Sequence, residues 1–442
     1  MKLHQLLPPR ANFGCTKRRG GHFVTSILSG AIFLAAQVPV QAQAQGVEWH
    51  GMLDARAVAA DGPPSWTREG LGKSRYDTGS GSVRLAQAFL QARGDVSDSI
   101  SGNLVLSLAD DRTSGLDVNE AWLVWSPVPT SDWKTRVKAG AFFPASSLEI
   151  DYESMSWTPL RTVSSAAINS WIGEELRTLG AEVTLTRKGQ QSGSPHSYGV
   201  SAAVFGGNDP AGSLIAWRGW SVSDRITGLT EPLLLADLPA YRQGSPGAPL
   251  PMQDRSMRLF KEIDGRPGFY LGAHYAFAQT LELAVLHYDN RADPFALKGG
   301  QYAWNTRFDH LSLRVRPAGQ WELAAQAMRG ETIMGPDAVR LTFQAWYLSA
   351  SHPWAGGHVT LRFDSFRTDE NDILPGDPNG EAGRALALAY AVPLGSIVPK
   401  AERFTLVTEL LAVQSDRPAR VQIGQAAAQS ERSWTTSLRW QY

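Results

Sequence analysis

The chain has 442 residues and no net charge at neutral pH, and its 42 glycines and 15 tryptophans accompany an average hydrophobic content of 43%. A single cysteine, Cys15, excludes an intrachain disulfide bond. Beyond residue 44 no segment has the run of about 18 apolar residues that a membrane-spanning helix needs. A β-barrel needs no such run, because only every second residue of each strand meets lipid.

Residues 1–44 have the features of a secretory signal peptide. Residues 17–19 are Lys, Arg and Arg, residues 20–46 contain no charged side chain, and residues 23–36 are apolar. Ala42-Gln43-Ala44 offers a cleavage site, so we expect residues 45–442 to be exported; a membrane anchor is the alternative. Cleavage leaves 37 Lys/Arg against 42 Asp/Glu, a charge of −5, which argues against a nucleic-acid partner.

Alternation of apolar and polar residues predicts sixteen β-strands. In the first strand, residues 47–58, Val47, Trp49 and Leu53 lie on one face, with Asp54 and Arg56 on the other. The others are predicted at 83–94, 99–110, 117–126, 132–143, 176–187, 197–207, 266–278, 280–289, 301–316, 320–329, 339–351, 357–368, 382–393, 402–415 and 431–442. In strand 301–316 the phase changes near Phe308, which predicts a β-bulge there.

The connections between these strands alternate in length. Short ones are predicted at 95–98, 126–130, 187–196, 279, 317–319, 352–356 and 393–401. Long ones are predicted at 59–82, 110–116, 144–175, 208–265, 290–300, 330–338, 369–381 and 416–430. Short periplasmic turns, longer extracellular loops and an even strand number are typical of outer-membrane barrels. The prediction is therefore an all-β, antiparallel, transmembrane barrel of sixteen strands in one domain.

Aromatic residues cluster near both ends of the predicted strands. One set lies beside short turns or the termini: Trp49, Trp125, Trp133, Tyr275, Phe277, Trp321, Trp354, Phe404, Trp440 and Tyr442. The other set lies near the long loops: Phe142, Phe143, Phe205, Tyr302, Trp304, Phe363 and Phe366. Two interfacial belts are the prediction. A last strand ending in Tyr442 also resembles the signal that the barrel-assembly machinery recognises.

Residues 136–144, Arg-Val-Lys-Ala-Gly-Ala-Phe-Phe-Pro, followed by Ser146-Ser147-Leu148-Glu149, resemble a passage of Gram-negative porins. The passage leads from a strand into the third loop, and it is most similar in the phosphate-selective (porin O and P) branch. The resemblance implies a homotrimer in the outer membrane whose third loop folds inward. This chain lacks the dense ladder of basic residues that anion-selective members use, so phosphate specificity does not follow.

The third loop, residues 144–175, is the predicted pore constriction. Its charged residues include Glu149, Asp151, Glu153 and Arg161. The predicted basic wall opposite consists of Lys134, Arg136, Lys138, Arg56, Arg314, Arg340, Arg362, Arg403 and Arg439. Carboxylates facing basic residues would set up a transverse field that orders dipolar solutes. Alternatively, these charges pair with one another and solvate a polar lumen.

Two further loops have candidate functions. Residues 208–265 form the longest connection, which would cover the mouth, latch onto a neighbouring subunit or bind ligand. Its Trp217 and Trp220 would stack on sugars or pack the loop against itself. In residues 369–381, acidic side chains offer oxygen ligands for a divalent cation, or form a solvated loop that meets lipopolysaccharide.

An enzyme is disfavoured because the histidines are scattered and no HExxH, GxSxG or phosphate-binding glycine loop occurs. The expected function is passive diffusion of small polar or charged solutes, without cofactor, metal or turnover. A substrate-specific channel for anions or sugars is one alternative. A non-conducting scaffold or adhesin, with loops that fill the lumen, is the other.

Overall fold

A computed structural model describes residues 46–112, 115–151, 153, 155, 157–242, 248–336, 338–372 and 374–442, without the side chains of residues 190 and 191. The predicted signal peptide lies outside these residues and stays a prediction. Among the described residues, no helix is long and apolar enough to cross a lipid bilayer.

Sixteen antiparallel strands, β1 to β16, form a closed barrel in which the first strand pairs with the last. In chain order they are Val47–Asp61, Val83–Ser97, Ile100–Ala109, Leu116–Trp125, Trp133–Phe142, Thr178–Arg187, His196–Gly206, Gly268–Phe277, Leu281–Asp289, Asn305–Val315, Glu322–Met334, Val339–Trp354, Gly357–Glu370, Glu381–Pro393, Phe404–Asp416 and Ala428–Gln441. Every predicted strand is present, and the predicted fold class is confirmed. Closure pairs every strand on both sides, so no edge is left exposed.

The connections contain the remaining elements. Two α-helices, α1 and α2, span Ala167–Glu175 and Ser213–Trp217. Short 3-10 helices span Trp66–Arg68, Gly189–Ser192, Pro239–Tyr241, Leu394–Ser396 and Pro418–Ile423. Two small ladders join Pro232–Leu234 to Ser256–Arg258 and Leu297–Lys298 to Gln301–Tyr302. The two-residue turn between β12 and β13 uses Ala355 and Gly356, both with positive φ, as a type I′ hairpin turn requires.

In a water-filled membrane barrel, polar residues face the lumen and apolar residues face outward. At the long-loop end of β10 to β13 this arrangement is reversed. Apolar residues such as Phe308, Phe343 and Phe366 are buried inside. Polar residues face outward there and form exposed pairs such as Arg307 with Glu331. Nearer the short turns the outward face is apolar, with Trp346 and Leu348 exposed on β12.

This reversal corrects two predictions. The β-bulge near Phe308 is absent: β10 keeps one register with both neighbours, and its even-numbered residues face inward throughout. The belt predicted at the long-loop end is largely wrong as well. Phe142, Phe205, Trp304 and Phe366 are buried inside the barrel, while Phe363 is exposed on the outer surface. The belt predicted beside the short turns requires aromatic side chains that are exposed, and the following are: Trp49, Trp125, Trp133, Phe277, Trp321, Trp354 and Tyr442.

Two connections fold into the barrel and supply the core that these aromatic residues contact. All residues of α1 are buried, and so are residues 207–228, which contain α2. Trp171 of α1 packs edge-on against Phe343, with ring centroids 5.2 Å apart, and Trp217 of α2 packs against Trp304 at 4.8 Å. We call residues 207–228 the inner segment. The lumen near the long loops is therefore filled with packed protein.

Candidate functional site

The third loop is fixed inside the barrel by carboxylates that accept the N–H groups at the start of α1. Ala166, the N-cap of α1, has no side-chain cap; instead its N–H donates to Glu149 at 3.0 Å. Asp364 of β13 accepts from Ala167 at 3.0 Å, and Glu409 of β15 accepts from Val163 at 3.0 Å. Negative charge at a helix N-terminus is stabilising, so the wall orients this helix directly.

Arg362 of β13 connects the same elements. Its buried guanidinium donates to the carbonyl oxygens of Ser164 and Ser165 at 2.5 and 3.1 Å and to Asp364 at 2.9 Å. The Glu149 carboxylate lies 3.8 Å away. Burial raises the pKa of Glu149 to about 7, against the opposing effects of Arg362 and of the Ala166 N–H. Glu149 therefore changes charge near neutral pH.

A cavity of about 750 Å³ lies between the third loop and the wall formed by β7 to β13. Its charged lining residues are Glu149, Asp151, Arg161, Glu282, Arg314, Arg316, Glu322 and Arg362. It extends toward the short turns, because Arg316 follows the last residue of β10. A polar cavity of this size inside a barrel suits water and small polar solutes.

Charges of opposite sign alternate along one wall of this cavity. Arg161 of the third loop lies 3.6 Å from Glu322, and Arg316 contacts Glu322 at 3.2 Å and Glu282 at 2.7 Å. Arg314 contacts Glu282 at 3.1 Å and donates to the Leu148 carbonyl. Sequence analysis did not single out Arg316, although it is the last residue of the predicted strand 301–316. The alternation favours dipolar solutes over a strong preference for one sign of charge.

Glu153 of the third loop lies against a different part of the wall. Its Oε1 is 2.8 Å from Nη2 of Arg136 and 2.7 Å from Nζ of Lys138, both on β5. Burial by itself would raise the pKa of Glu153, but Lys138 and Arg136 lower it to about 2. Lys134 is half-buried on the same strand. Glu149 and Asp151 line the cavity, whereas Glu153 does not.

Two predicted wall arginines lie in buried networks. Arg56 of β1 contacts Asp54 and Asp224, while Arg439 of β16 donates to the carbonyl oxygens of Pro159 and Thr162 at 2.5 and 2.9 Å. Both side chains are almost fully buried. They hold the inserted connections in place, and neither lines the cavity.

Two other predicted wall residues lie outside the lumen. Arg340 is on the face of β12 opposite the buried Val339 and Leu341. Arg403 precedes β15 at the short-turn end, exposed, with its guanidinium 4.9 Å from the centre of the Tyr442 ring. The prediction that they line the lumen is corrected: one lies where the faces are reversed, the other beyond the strand end.

The inner segment is held by buried ion pairs, most of which sequence analysis did not find. Asp224 accepts from Arg56 and from Arg75, the latter at 3.1 Å, and its pKa is held well below the usual range by these arginines despite burial. Arg218 pairs with Glu174 of α1. The available signal was the apolar run Leu214-Ile215-Ala216-Trp217, which is unusual for a solvated loop.

The acidic side chains of residues 369–381 are engaged within the protein. Asp369 pairs with Arg367, Asp377 accepts from Trp217 Nε1 at 3.3 Å, and Glu381 lies 2.6 Å from Lys73. Elsewhere in the described chain, carboxylate oxygens of Asp209, Glu262 and Asp264 lie within 4.8 Å of one another. Asp209 accepts from the backbone of Ile263 and Asp264, and Glu262 accepts from Gly207, so these carboxylates cross-link backbone segments.

No family model matches the sequence, and no curated protein matches it. Among solved structures, the outer-membrane channel DcaP of Acinetobacter baumannii is similar over 90% of this chain and 97% of its own, with 10% identity and a TM-score of 0.51. OprB of Pseudomonas putida matches over 90% and 94%, with 12% identity and a TM-score of 0.48. The anion-selective porin from Comamonas acidovorans matches over 90% and 99%, with 12% identity and a TM-score of 0.46.

The similarity to DcaP extends over nearly the whole of both barrels, and at this identity it concerns the fold. The class is therefore a closed, sixteen-stranded antiparallel β-barrel, the fold that it shares with the outer-membrane channel DcaP. The resemblance to the phosphate-selective branch stays a prediction.

Proposed function

We propose that the protein is an outer-membrane channel for passive diffusion of small polar or charged solutes, without turnover or cofactor. The observation that supports this most is the 750 Å³ cavity inside a closed barrel, lined by carboxylates and guanidinium groups. Charged groups are costly to bury away from water. A cavity of this size that is lined by charged groups is therefore expected in a barrel that holds water, rather than in one whose interior is packed throughout. The solute path we propose runs between the third loop and the wall of β7 to β13.

A non-conducting scaffold is the second candidate. The inner segment, buried throughout, favours it, because this segment and α1 fill the lumen near the long loops. The two candidates differ in one measurable property. A channel passes ions through the resting protein or after displacement of the inner segment, whereas a scaffold passes none in either condition.

Single-channel recording in a planar bilayer under a salt gradient tests the proposal. Discrete conductance steps are expected, with a reversal potential near zero because the cavity carries four carboxylates and four guanidinium groups. Replacing Glu149, Asp151 and Glu153 together by Gln removes three negative charges and moves the reversal potential toward anion preference. Asp237→Asn, which changes an exposed pair with Arg242, serves as the control. Silence from folded protein, both with the inner segment in place and after its replacement, contradicts the channel and favours the scaffold.

The charge of Glu149 makes ion preference depend on pH. Its pKa is raised to about 7, so it is neutral at pH 6 and charged at pH 8. Lowering the pH through this range removes one negative charge from the cavity, and we expect the reversal potential to shift toward anions. Glu149→Gln should behave at both pH values like the wild type at pH 6. If the variant retains the full pH shift, another group is responsible.

The assembly and location follow from the same proposal. We propose a homotrimer in the outer membrane that contacts lipopolysaccharide, exported through residues 1–44 and inserted by the barrel-assembly machinery through its C-terminal strand. Nucleic acid is not a partner in this proposal, because the exported chain carries a net charge of −5 with 37 Lys/Arg and 42 Asp/Glu. Conductance steps that occur in threes would support the trimer.

A further inference from the structure

Glu153 of the third loop contacts two cations of β5. One carboxylate oxygen contacts two cations at once, Nη2 of Arg136 at 2.8 Å and Nζ of Lys138 at 2.7 Å. The cations project from one face of a strand, at positions i and i+2, whereas the carboxylate comes from a loop. The β6 ladder pairs Arg136 and Lys138, and the β4 ladder also pairs Lys138, so the two cations stay on one strand face whether or not Glu153 is present.

Aromatic rings hold both cations in place. The Arg136 guanidinium lies 5.7 Å from the centre of the Trp122 ring, and Lys138 Nζ lies 5.2 Å from the same ring. Lys138 also lies 5.1 Å from the ring of Phe142. Cation–π contacts of this kind position a cation without neutralising it. The site is therefore arranged for an anion independently of Glu153.

Neighbouring carboxylates are engaged with other donors. Glu120 accepts from the N–H of Phe143 at 2.9 Å, and Glu182 accepts from the Tyr270 hydroxyl at 2.5 Å. Glu153, by contrast, is 30% exposed, and Arg136 is 26% exposed. Lys138 is 12% exposed. Because the side chains of Glu153 and Arg136 remain partly exposed, solvent screens the pair, and an anion from the lumen can compete with Glu153 for this place.

We propose that Arg136 and Lys138 form a binding site for small carboxylate solutes, in which Glu153 is a tethered ligand that an incoming carboxylate displaces. The proposal rests on the proposed function, because it names one solute class that the lumen would bind. A carboxylate is the fitting class because the Glu153 carboxylate already occupies the site. Displacement frees the third loop from β5 and couples solute binding to the width of the passage there.

Propionate is the appropriate probe, because it reproduces the side chain of glutamate beyond its Cα atom. Isothermal titration of the refolded protein in detergent at low salt measures its affinity without requiring conductance. If Glu153 occupies the site about nine-tenths of the time, Glu153→Gln exposes it and tightens propionate binding about tenfold. Glu153→Ala should give the same result, and neutral propionamide should bind neither variant.

Matched variants locate the site. Adding Arg136→Gln and Lys138→Gln to Glu153→Gln should abolish propionate binding, whereas adding Lys134→Gln, a charge removed from the same strand, should weaken it less than about threefold by long-range electrostatics alone. Equal affinity of the wild type and Glu153→Gln, or binding that survives loss of both cations, overturns the proposal. If the protein binds propionate but does not conduct, the binding site is supported and the channel is contradicted. If it conducts but does not bind propionate, the channel is supported and the binding site is contradicted.

Discussion

Replacing residues 211–227 with a Gly/Ser linker of equal length is expected to raise single-channel conductance severalfold. The replacement keeps the length of the connection but removes Trp217, Trp220 and Asp224, which pack and pair inside the barrel. A Gly/Ser chain behaves as a flexible coil and has no apolar surface to bury, so it leaves the lumen to water. Barrels of sixteen to eighteen strands otherwise enclose an aqueous channel.

Planar-bilayer recording checks this result against a matched replacement. Residues 396–400, an exposed turn between β14 and β15, are replaced by Gly/Ser in the control, which should conduct like the wild type. If the variant lacking the inner segment has the same conductance as the wild type, the third loop with α1, rather than the inner segment, limits the conductance. No conductance in either protein would support the scaffold.

Asp224→Asn is expected to release the inner segment by a different route. The carboxylate accepts from the buried guanidinium groups of Arg56 and Arg75 and from Gln87 at 2.9 Å. An amide of the same shape removes that counter-charge, while Arg56 keeps Asp54 and Arg75 keeps Asp111 as partners, so we expect a cost of about 1–3 kcal/mol. Because Asp224 lies on the inner segment and Arg56 on the wall, the loss should fall on docking of this segment.

Amide hydrogen exchange measures that loss directly, because it reports the free energy of local opening. Peptides from residues 207–228 should lose protection by about 1–3 kcal/mol in Asp224→Asn, while strand peptides keep theirs. The control is Asp237→Asn in the same connection, whose pair with Arg242 is exposed and contributes about 0–1 kcal/mol. Protection of residues 207–228 that is equal in both variants would show that packing of Trp217 and Trp220, rather than Asp224, holds the segment.

The barrel could be predicted because lipid imposes a regular pattern on long strands. Leu311 and Leu313 face outward on β10, and every neighbouring strand repeats that alternation. The prediction failed where the lumen is filled. Trp304 and Phe308 are apolar yet face inward. Inward and outward positions therefore alternate without interruption along the strand, although the apolar residues in the sequence change from even to odd positions. The sequence places Arg340 in the lumen for the same reason, because polar residues of a water-filled barrel are expected to face inward.

The candidate site could be predicted only in part, because its parts come from connections. The loop at residues 144–175 does enter the barrel, and Glu149, Asp151 and Arg161 line the cavity. The partners that hold it, such as Glu409, are distant in sequence, and nothing local specifies which backbone N–H a carboxylate will accept. The burial of the inner segment likewise depends on the space enclosed by sixteen strands, which only the closed barrel defines.

The reversed faces at the long-loop end limit the hydrophobic thickness that the barrel presents. On β12 the outward residues from Trp346 to Trp354 cover about 27 Å of strand, or about 21 Å along the bilayer normal at a tilt of about 40°. Beyond Trp346, Gln344 and Thr342 are exposed, and the neighbouring strands carry Arg307, Asp309, Arg329 and Arg367 on the same surface. The headgroup boundary should therefore fall between Gln344 and Trp346. The part of the barrel beyond this boundary should not contact the acyl chains, and it resembles a water-soluble barrel with its own apolar core.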